Sequence, residues 1–287
     1  MRPELGAHYP SASQRTRVIT EDWAANHLYC PACECNELAA ERPGRKVVDF
    51  HCDSCSERYQ LKARREPLRG QVQDAAYEPL AQAIRDGTAP SFFLMHYRLK
   101  DWHVQNLVLV PRFFLSLSAV VPRNPLGPKH PRKGHVLCNL ALSQLPLDAR
   151  IPVVLDGKAM PWEVVRSEWE RFAFLQEKTH KVRGWTSDVL ACVRRLSKSI
   201  FTAGEFYADF EVELRNLHPS NLHVKDKIRQ QLQVLRRQGV LEFVRPGVYR
   251  QLRWCPACGH DFVPEVDTGA STRVRRLSCP VCGTVLW

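Results

Sequence analysis

Apolar residues along this chain recur with two different periods, and the changes of period outline its elements. Residues 11–26 set Val18, Ile19 and Trp23 against Asp22 and Asn26 at helical spacing, which predicts a helix. Residues 45–51 and 58–64 alternate instead, as strands do, and a Cys-x-x-Cys pair lies between them. At 71–86 the spacing of Ala75, Ala76, Leu80, Ala83 and Ile84, with Gly87 just beyond, predicts a second helix. Short apolar runs at 92–97, 106–110 and 151–155 read as buried strands, and 162–176 as a helix. The result is a mixed α/β unit that ends near Lys181.

The texture then changes. Residues 185–196, 205–217 and 224–237 are amphipathic helical stretches, and two β runs at 241–245 and 248–252 are joined by Pro246-Gly247. Three helices followed by a small hairpin predict a winged helix. A third, smaller unit begins at Cys255, which gives an expected division into 1–182, 183–253 and 254–287. Within the first unit, 121–135 carries Pro122, Pro125, Pro128 and Pro131 and reads as neither helix nor central strand. A loop this long in a folded unit is functional or disordered.

Charge narrows the partner. With 41 Lys and Arg against 30 Asp and Glu, the net charge is +11, which favours a polyanion, nucleic acid before membrane. No run of 18 apolar residues spans a bilayer, and the N-terminal stretch lacks the apolar core of a secretory signal, so a cytoplasmic protein is expected. A monomer is the simplest expectation. Without an export signal, the eleven cysteines point to metal rather than disulfides, and eight of them fall in Cys-x-x-Cys pairs.

Those pairs form two sets, Cys30, Cys33, Cys52 and Cys55, then Cys255, Cys258, Cys279 and Cys282. A two-residue spacer lets one tight turn present both sulfurs to a tetrahedral zinc ion, with proline and glycine shaping the turn. Four protein ligands leave no open position, so both ions are expected to be structural. A dithiol redox protein is the competing class, but it usually needs a thioredoxin-like βαβ pattern that is not evident here. Cys35, Cys138 and Cys192 fit neither set and are expected as buried thiols.

Around the first set, alternation places Val47, Asp49 and His51 on one strand face and Val48 and Phe50 on the other. Gln60 and Lys62 share a face of the next strand, with Tyr59 and Leu61 packing opposite. If the cysteine knuckle is the tip of a hairpin, Asp49 meets Gln60 and Lys62. A carboxylate and a carbonyl oxygen that hold Mg²⁺, with an ammonium near an attacking water, are what phosphodiester hydrolysis requires. On these letters alone a solvated polar face with an incidental ion pair stays open.

Residues 224–237 bury a stripe of Val224, Ile228, Leu232 and Leu235 and turn Asp226, Arg229, Gln230 and Gln233 outward, flanked by Lys225 and Arg236. Arginine and glutamine pair with guanine and adenine edges in the major groove, where the N6 group of adenine also lies. Arg245 and Arg250 on the wing, and Arg123, Lys129, Arg132 and Lys133 in the proline-rich loop, would contact phosphate.

Six segments in order, TEDW (20–23), YCPAC (29–33), DFHCDSCSERYQLK (49–62), CNLALSQLP (138–146), RGWT (183–186) and KIRQQLQVLR (227–236), resemble the DpnI family of methyl-directed restriction endonucleases. The likeness runs from about 13 to 252. It implies a PD-(D/E)xK nuclease domain, a methyl-reading winged helix, and double-stranded DNA bearing N6-methyladenine in a GATC site as substrate. By position, Asp49, Gln60 and Lys62 stand where the family's catalytic triplet stands. Three departures mark this chain. Gln60 replaces a glutamate, so a carboxylate from Glu21 or Asp22 is a candidate replacement. His135 stands where the family carries an aromatic methyl sensor. The zinc ribbon expected from 254 has no counterpart. The runner-up reading is a zinc-bearing reader of methylated DNA, or a regulator, in which Gln60 marks lost chemistry.

Overall fold

The computed structural model describes residues 1–41, 48–68, 70–255, 258, 260–262, 277–283 and 285–286. In chain order these form α1 (Ala12–His27), β1 (Ala39–Ala40), β2 (Phe50–His51), β3 (Arg58–Arg64), β4 (Gln71–Ala76), α2 (Tyr77–Arg85), β5 (Ser91–Arg98), β6 (His103–Val110), β7 (Val120–Pro122) and β8 (Leu137–Ala141). Next come β9 (Ile151–Leu155), β10 (Lys158–Ala159), α3 (Trp162–Phe172), α4 (His180–Arg195), β11 (Ile200–Thr202), α5 (Ala203–Leu217), α6 (Val224–Arg237), β12 (Leu241–Arg245) and β13 (Val248–Gln251).

The main sheet has the order β1-β2-β3-β5-β6-β9-β10, and β3 with β5 is its one parallel pair among the described residues. In β5 the run from Phe92 to Met95 is buried without alternation, as expected of a central strand covered on both faces. Behind it, Phe113, Phe114, Trp169 and Phe172 stack into an aromatic core under α3. The parallel return from β3 to β5 needs a crossover, which β4 and α2 supply.

That crossover corrects one expectation. Residues 71–86 are not a single helix: β4 occupies the first six and α2 starts only at Tyr77. β4 pairs Gln71, Val72 and Gln73 with Ala141, Leu140 and Asn139 of β8, in a second antiparallel sheet of order β4-β8-β7. Val72 and Asp74 are buried there, while Gln71 and Gln73 are exposed. The helical spacing belonged to α2, and pairing with a distant strand overrode it upstream. Of the expected strand at 45–51, residues 45–47 lie outside the described residues, and the described part pairs only Phe50 and His51.

The helices α4, α5 and α6, with the three-stranded sheet β11-β13-β12, make a helical unit carrying a β wing. α5 begins at Ala203, earlier than the hydrophobic pattern suggests, because Thr202 and Glu205 form a reciprocal cap: the Glu205 N–H donates to Thr202 Oγ1 at 3.0 Å and the Thr202 N–H to Glu205 Oε2 at 2.8 Å. α4 is not amphipathic as the spacing suggested, since every residue from Arg183 to Val193 is buried. The α/β unit covers its remaining face. Ser187 Oγ donates to the Phe114 carbonyl at 3.1 Å, and Asp188 accepts from Ser118 Oγ at 2.7 Å and meets His218 Nε2 at 2.8 Å. Arg194 lies bidentate on the buried Asp148 at 2.9 Å, and Arg253 approaches the same carboxylate at 3.4 Å. No helix among the described residues is long and apolar enough to cross a membrane.

Candidate active site

The site begins with the cysteine knuckles. Cys30 and Cys52 each open a tight turn: the Cys30 N–H donates to the Cys35 carbonyl at 3.0 Å and the Cys52 N–H to Glu57 at 2.9 Å. The four sulfurs of this set lie within 4.8 Å of one another, with Cys30–Cys55 at 3.5 Å and Cys33–Cys52 at 3.6 Å. Zinc–sulfur bonds of about 2.3 Å in a tetrahedron require sulfurs about 3.8 Å apart, so the four fit a zinc ion. Burial pushes the Cys30 thiol up and the Cys55 thiol to about 11, while at Cys33 burial is outweighed by hydrogen bonds from the backbone and the other cysteines, which draw that thiol down. The second set matches, with Cys255–Cys282 at 3.5 Å and Cys258–Cys279 at 3.7 Å. The turn residues Pro256 and Gly259 lie outside the described residues. Of the other thiols, Cys138 and Cys192 are buried as expected, but Cys35 is only half-buried, and its Sγ donates to the Glu37 carbonyl at 3.3 Å.

The first knuckle is the tip of the β2–β3 hairpin, with Phe50 opposite Tyr59 and His51 opposite Arg58. Asp49 sits in a bend just before β2, and its face-sharing partner Val47 is outside the described residues. Its own N–H reaches the Tyr59 carbonyl at 2.9 Å, and its Oδ2 accepts the backbone N–H of Leu61 at 2.8 Å. β2 is too short to pair this part of β3, so the carboxylate takes over the ladder bond. The effect is to seat Asp49 against the strand between Gln60 and Lys62.

Gln60 is 7% exposed, and its Oε1 has no hydrogen-bond partner among the described residues. A bare amide oxygen in a buried position costs about 1–3 kcal/mol. It is the type of oxygen that a hard cation takes. An unpartnered amide oxygen and a carboxylate fixed at the next residue are donors of the kind that suit a divalent ion. Lys62 Nζ is 2.5 Å from Oδ1 of the buried Asp74, so the ammonium is held at one side of the strand rather than reaching into solvent.

Of the two acids on α1, Asp22 accepts from Nε and Nη2 of Arg2. Glu21 accepts from Arg17 Nε at 2.7 Å, and burial, with a further push from Asp49, raises its carboxyl above the usual range. Glu21 also borders a cleft of about 990 Å³ with Lys62, Arg15, Arg17, Arg64, Arg65 and Arg123.

The DNA-reading candidates divide among three places. Arg123 lines the cleft, while Lys129, Arg132, Lys133 and His135 are exposed in the loop between β7 and β8. That loop is ordered by backbone bonds: the Leu126 N–H donates to His135 and the Gly134 N–H back to Leu126, both at 2.9 Å. On α6, Val224, Ile228, Leu232 and Leu235 are buried and Lys225, Arg229, Gln230 and Gln233 exposed, as the stripe implies. Arg245 is exposed on the wing, whereas Arg250 is tied across the strands to Glu242 at 2.7 Å. The structure thus fixes Asp49 on β3 at Leu61, the residue between Gln60 and Lys62, turns Lys62 to Asp74, and leaves the loop and α6 as separate basic surfaces.

Asp74 was missed by sequence reasoning. Its signal was the alternation of Gln71, Val72, Gln73 and Asp74, which the helical spacing downstream obscured.

Comparison with known families follows the same division. A family model described as the DpnI Dam-replacing family matches residues 1–178, and one described as the Dam-replacing helix-turn-helix domain matches 181–251.

Proposed function

The chain belongs to the DpnI Dam-replacing family, and we propose that it is a methyl-directed restriction endonuclease that cleaves double-stranded DNA at N6-methyladenine sites of GATC type with Mg²⁺. One observation carries this reading. The Asp49 carboxylate accepts the N–H of Leu61 on β3, which precedes Lys62 and follows Gln60, whose buried carbonyl oxygen has no partner among the described residues. We read the sheet accordingly as a PD-(D/E)xK core. Mg²⁺ in this place would stabilise charge developing on the scissile phosphate and lower the pKa of a bound water. Asp49 and Gln60 would hold the ion. Lys62, steadied by Asp74, would orient the attacking water and keep its ammonium near the phosphate. The knuckle zinc holds the hairpin in register and takes no part in the chemistry.

The exposed edge of α6 would lie in the major groove, with Arg229, Gln230 and Gln233 at base edges and Lys225 and Arg245 on phosphates. Arg123 would meet phosphate from the cleft, and Lys129, Arg132 and Lys133 from the exposed loop. His135 offers an imidazole face to the methyl group, with less apolar area than a larger aromatic ring.

Gln60 favours a second reading, a methylated-DNA reader without turnover, because a neutral amide holds Mg²⁺ less firmly than a carboxylate. Incubating the zinc-loaded protein and Mg²⁺ with adenine-methylated and unmethylated plasmid separates the two. Cleavage of the methylated plasmid alone, lost in Asp49→Ala, is the expected result. Binding of methylated DNA without cleavage would leave the second reading, and equal treatment of both plasmids would overturn both.

A further inference from the structure

We propose that Asp74 is a positioning residue of the nuclease site: from a bulge in β4 it holds the Lys62 ammonium at the cleft wall, so that the place of this cation is set by β4 and not by its own strand. The proposal rests on the nuclease reading above and adds to it a residue that stands behind the cleft.

The strand pattern comes first. β4 turns Val72 and Asp74 inward and Gln71 and Gln73 outward. Its register with β8 sets Gln71, Val72 and Gln73 against Ala141, Leu140 and Asn139, then jumps to Ala76 against Leu137. Asp74 and Ala75 thus stand opposite Cys138 alone, the two-against-one arrangement of a β-bulge. Bulges re-aim a side chain out of the regular pleat, and they recur beside active sites. This one is held at both ends. Asn139 Nδ2 donates to Gln71 Oε1 at 2.6 Å and Arg64 Nη1 to the Gln71 carbonyl at 3.1 Å, while beyond the bulge the Tyr77 N–H donates to the Val136 carbonyl at 2.9 Å.

The electrostatics bind each partner to the other. Asp74 is 6% exposed, and apart from the Lys62 ammonium, 2.5 Å away, no donor bonds to its Oδ1 among the described residues. A carboxylate buried without its cation is costly. Lys62 depends on the pair as well. It borders the cleft with the like charges of Arg15, Arg17, Arg64, Arg65 and Arg123, and its flexible four-carbon stem would let it swing into water. Asp74 supplies the opposing charge from behind, outside the space that a phosphate would take. Cys138 reports the same arrangement: its thiol is pushed up to about 11 by burial and then by the Asp74 charge, with the Lys62 charge opposing.

Stability alone does not account for the pair. Well-packed apolar residues of similar volume serve a buried position as well as an ion pair does, and a lysine at a cleft edge hydrates without help. What the pair fixes is one place for one cation, on the strand that holds Asp49.

The test uses the zinc-loaded full chain with Mg²⁺ and adenine-methylated plasmid, and reads kcat and KM separately. Asp74→Asn keeps the shape and removes the charge. It should lower kcat about a hundredfold, the scale of a misplaced group, and leave KM within about threefold. Asp74→Glu, which keeps the charge on a longer arm, should recover about tenfold of that loss. The hold itself is read without cleavage. Acylation by acetic anhydride, followed by peptide mass spectrometry, should label Lys62 about fivefold faster in Asp74→Asn than in wild type, with the other lysines unchanged. A merely structural role would instead lower the thermal midpoint, raise labelling along the chain and move KM with kcat. Should Asp74→Asn not fold, Asp74→Val, suited to a strand, takes its place with the same outcomes. If the folded variant keeps wild-type kcat, or labels Lys62 no faster, Asp74 does not position it. If wild type cuts neither methylated nor unmethylated plasmid, the nuclease reading falls, and this role with it.

Discussion

The chain carries two four-cysteine clusters, with 18 residues between the pairs in the first and 20 in the second, and the fold treats them differently. In the first, Cys30 and Cys52 belong to the main hydrophobic core. The Tyr59 hydroxyl lies 3.2 Å from Cys30 Sγ, and burial beside Cys30 keeps that phenol protonated and able to donate. Arg166 of α3, packed on Tyr29 and Trp162, donates to the carbonyls of Cys30 and Cys35 at 3.1 and 3.0 Å. In the second, Cys255 and Cys279 form their own small cluster with Phe262. Among the described residues, the strand at Arg253 links it to the core, its guanidinium reaching Asp148. Ligand sets alike in chemistry thus serve as a corner of the sheet in one case and an appended unit in the other. What decides the difference is which elements surround the metal.

The largest expected effect comes from breaking each cluster in turn. Structural zinc contributes about 10 kcal/mol or more to folding of the element that holds it. Cys52→Ser should cost one zinc per chain, loosen the hairpin and lower methyl-directed cleavage by at least a hundredfold, because Asp49 and Gln60 lie within eight residues of the ligand. Cys279→Ser should also release one zinc but leave cleavage within about threefold, since among the described residues it clusters with Cys255 and Phe262, apart from the core that holds the first set. Metal content and plasmid cleavage on the same samples check this. Equal losses of activity would show that the second unit is part of the site.

A smaller effect separates the metal from its brace. Arg166→Ala removes three hydrogen bonds, to the Cys30 and Cys35 carbonyls and to Asn36 Oδ1, and two cation–π contacts, so it should lower stability by roughly 2 kcal/mol while both zinc ions stay bound. Denaturant melts with metal analysis would show it, and an unchanged midpoint would mean that the thiolates alone position the knuckle.

The smallest sharpens the comparison at one matching turn residue. The second Cys-x-x-Cys turn of each cluster closes with an N–H to the leading cysteine's carbonyl, from Ser56 to Cys52 at 2.8 Å and from Gly283 to Cys279 at 2.9 Å. Both residues are left-handed, with φ of 61° and 73°. Serine carries a steric cost there that glycine lacks. Ser56→Gly should therefore stabilise the first unit by about 0.5–1 kcal/mol, read as a small rise in the thermal midpoint.

Much of this was legible in the letters because it depends on local spacing. The Cys-x-x-Cys pairs, the strand Arg58–Arg64, the helix Val224–Arg237 and its buried stripe all follow from periods of two, three and four residues. Asp49, Gln60 and Lys62 were readable as one set only by assuming a hairpin, and the fold supplies that hairpin with Asp49 in a bend rather than in the strand. β4 and Asp74 were not readable, since a strand's pairing partner lies more than sixty residues away in β8. Nor was the full burial of α4, which depends on the α/β unit covering the face that the helix would otherwise show to water.

The sequence by itself determined the ligand sets, most of the helices and the central strands, and the basic surface, because these rest on residue type and short-range geometry. Tertiary structure alone decided that Asp49 lies against Leu61, that Lys62 is held by Asp74, and that Glu21 and Asp22 of α1 border one cavity with Asp49. Each of these depends on packing between segments far apart in the chain, which residue type and local spacing do not specify.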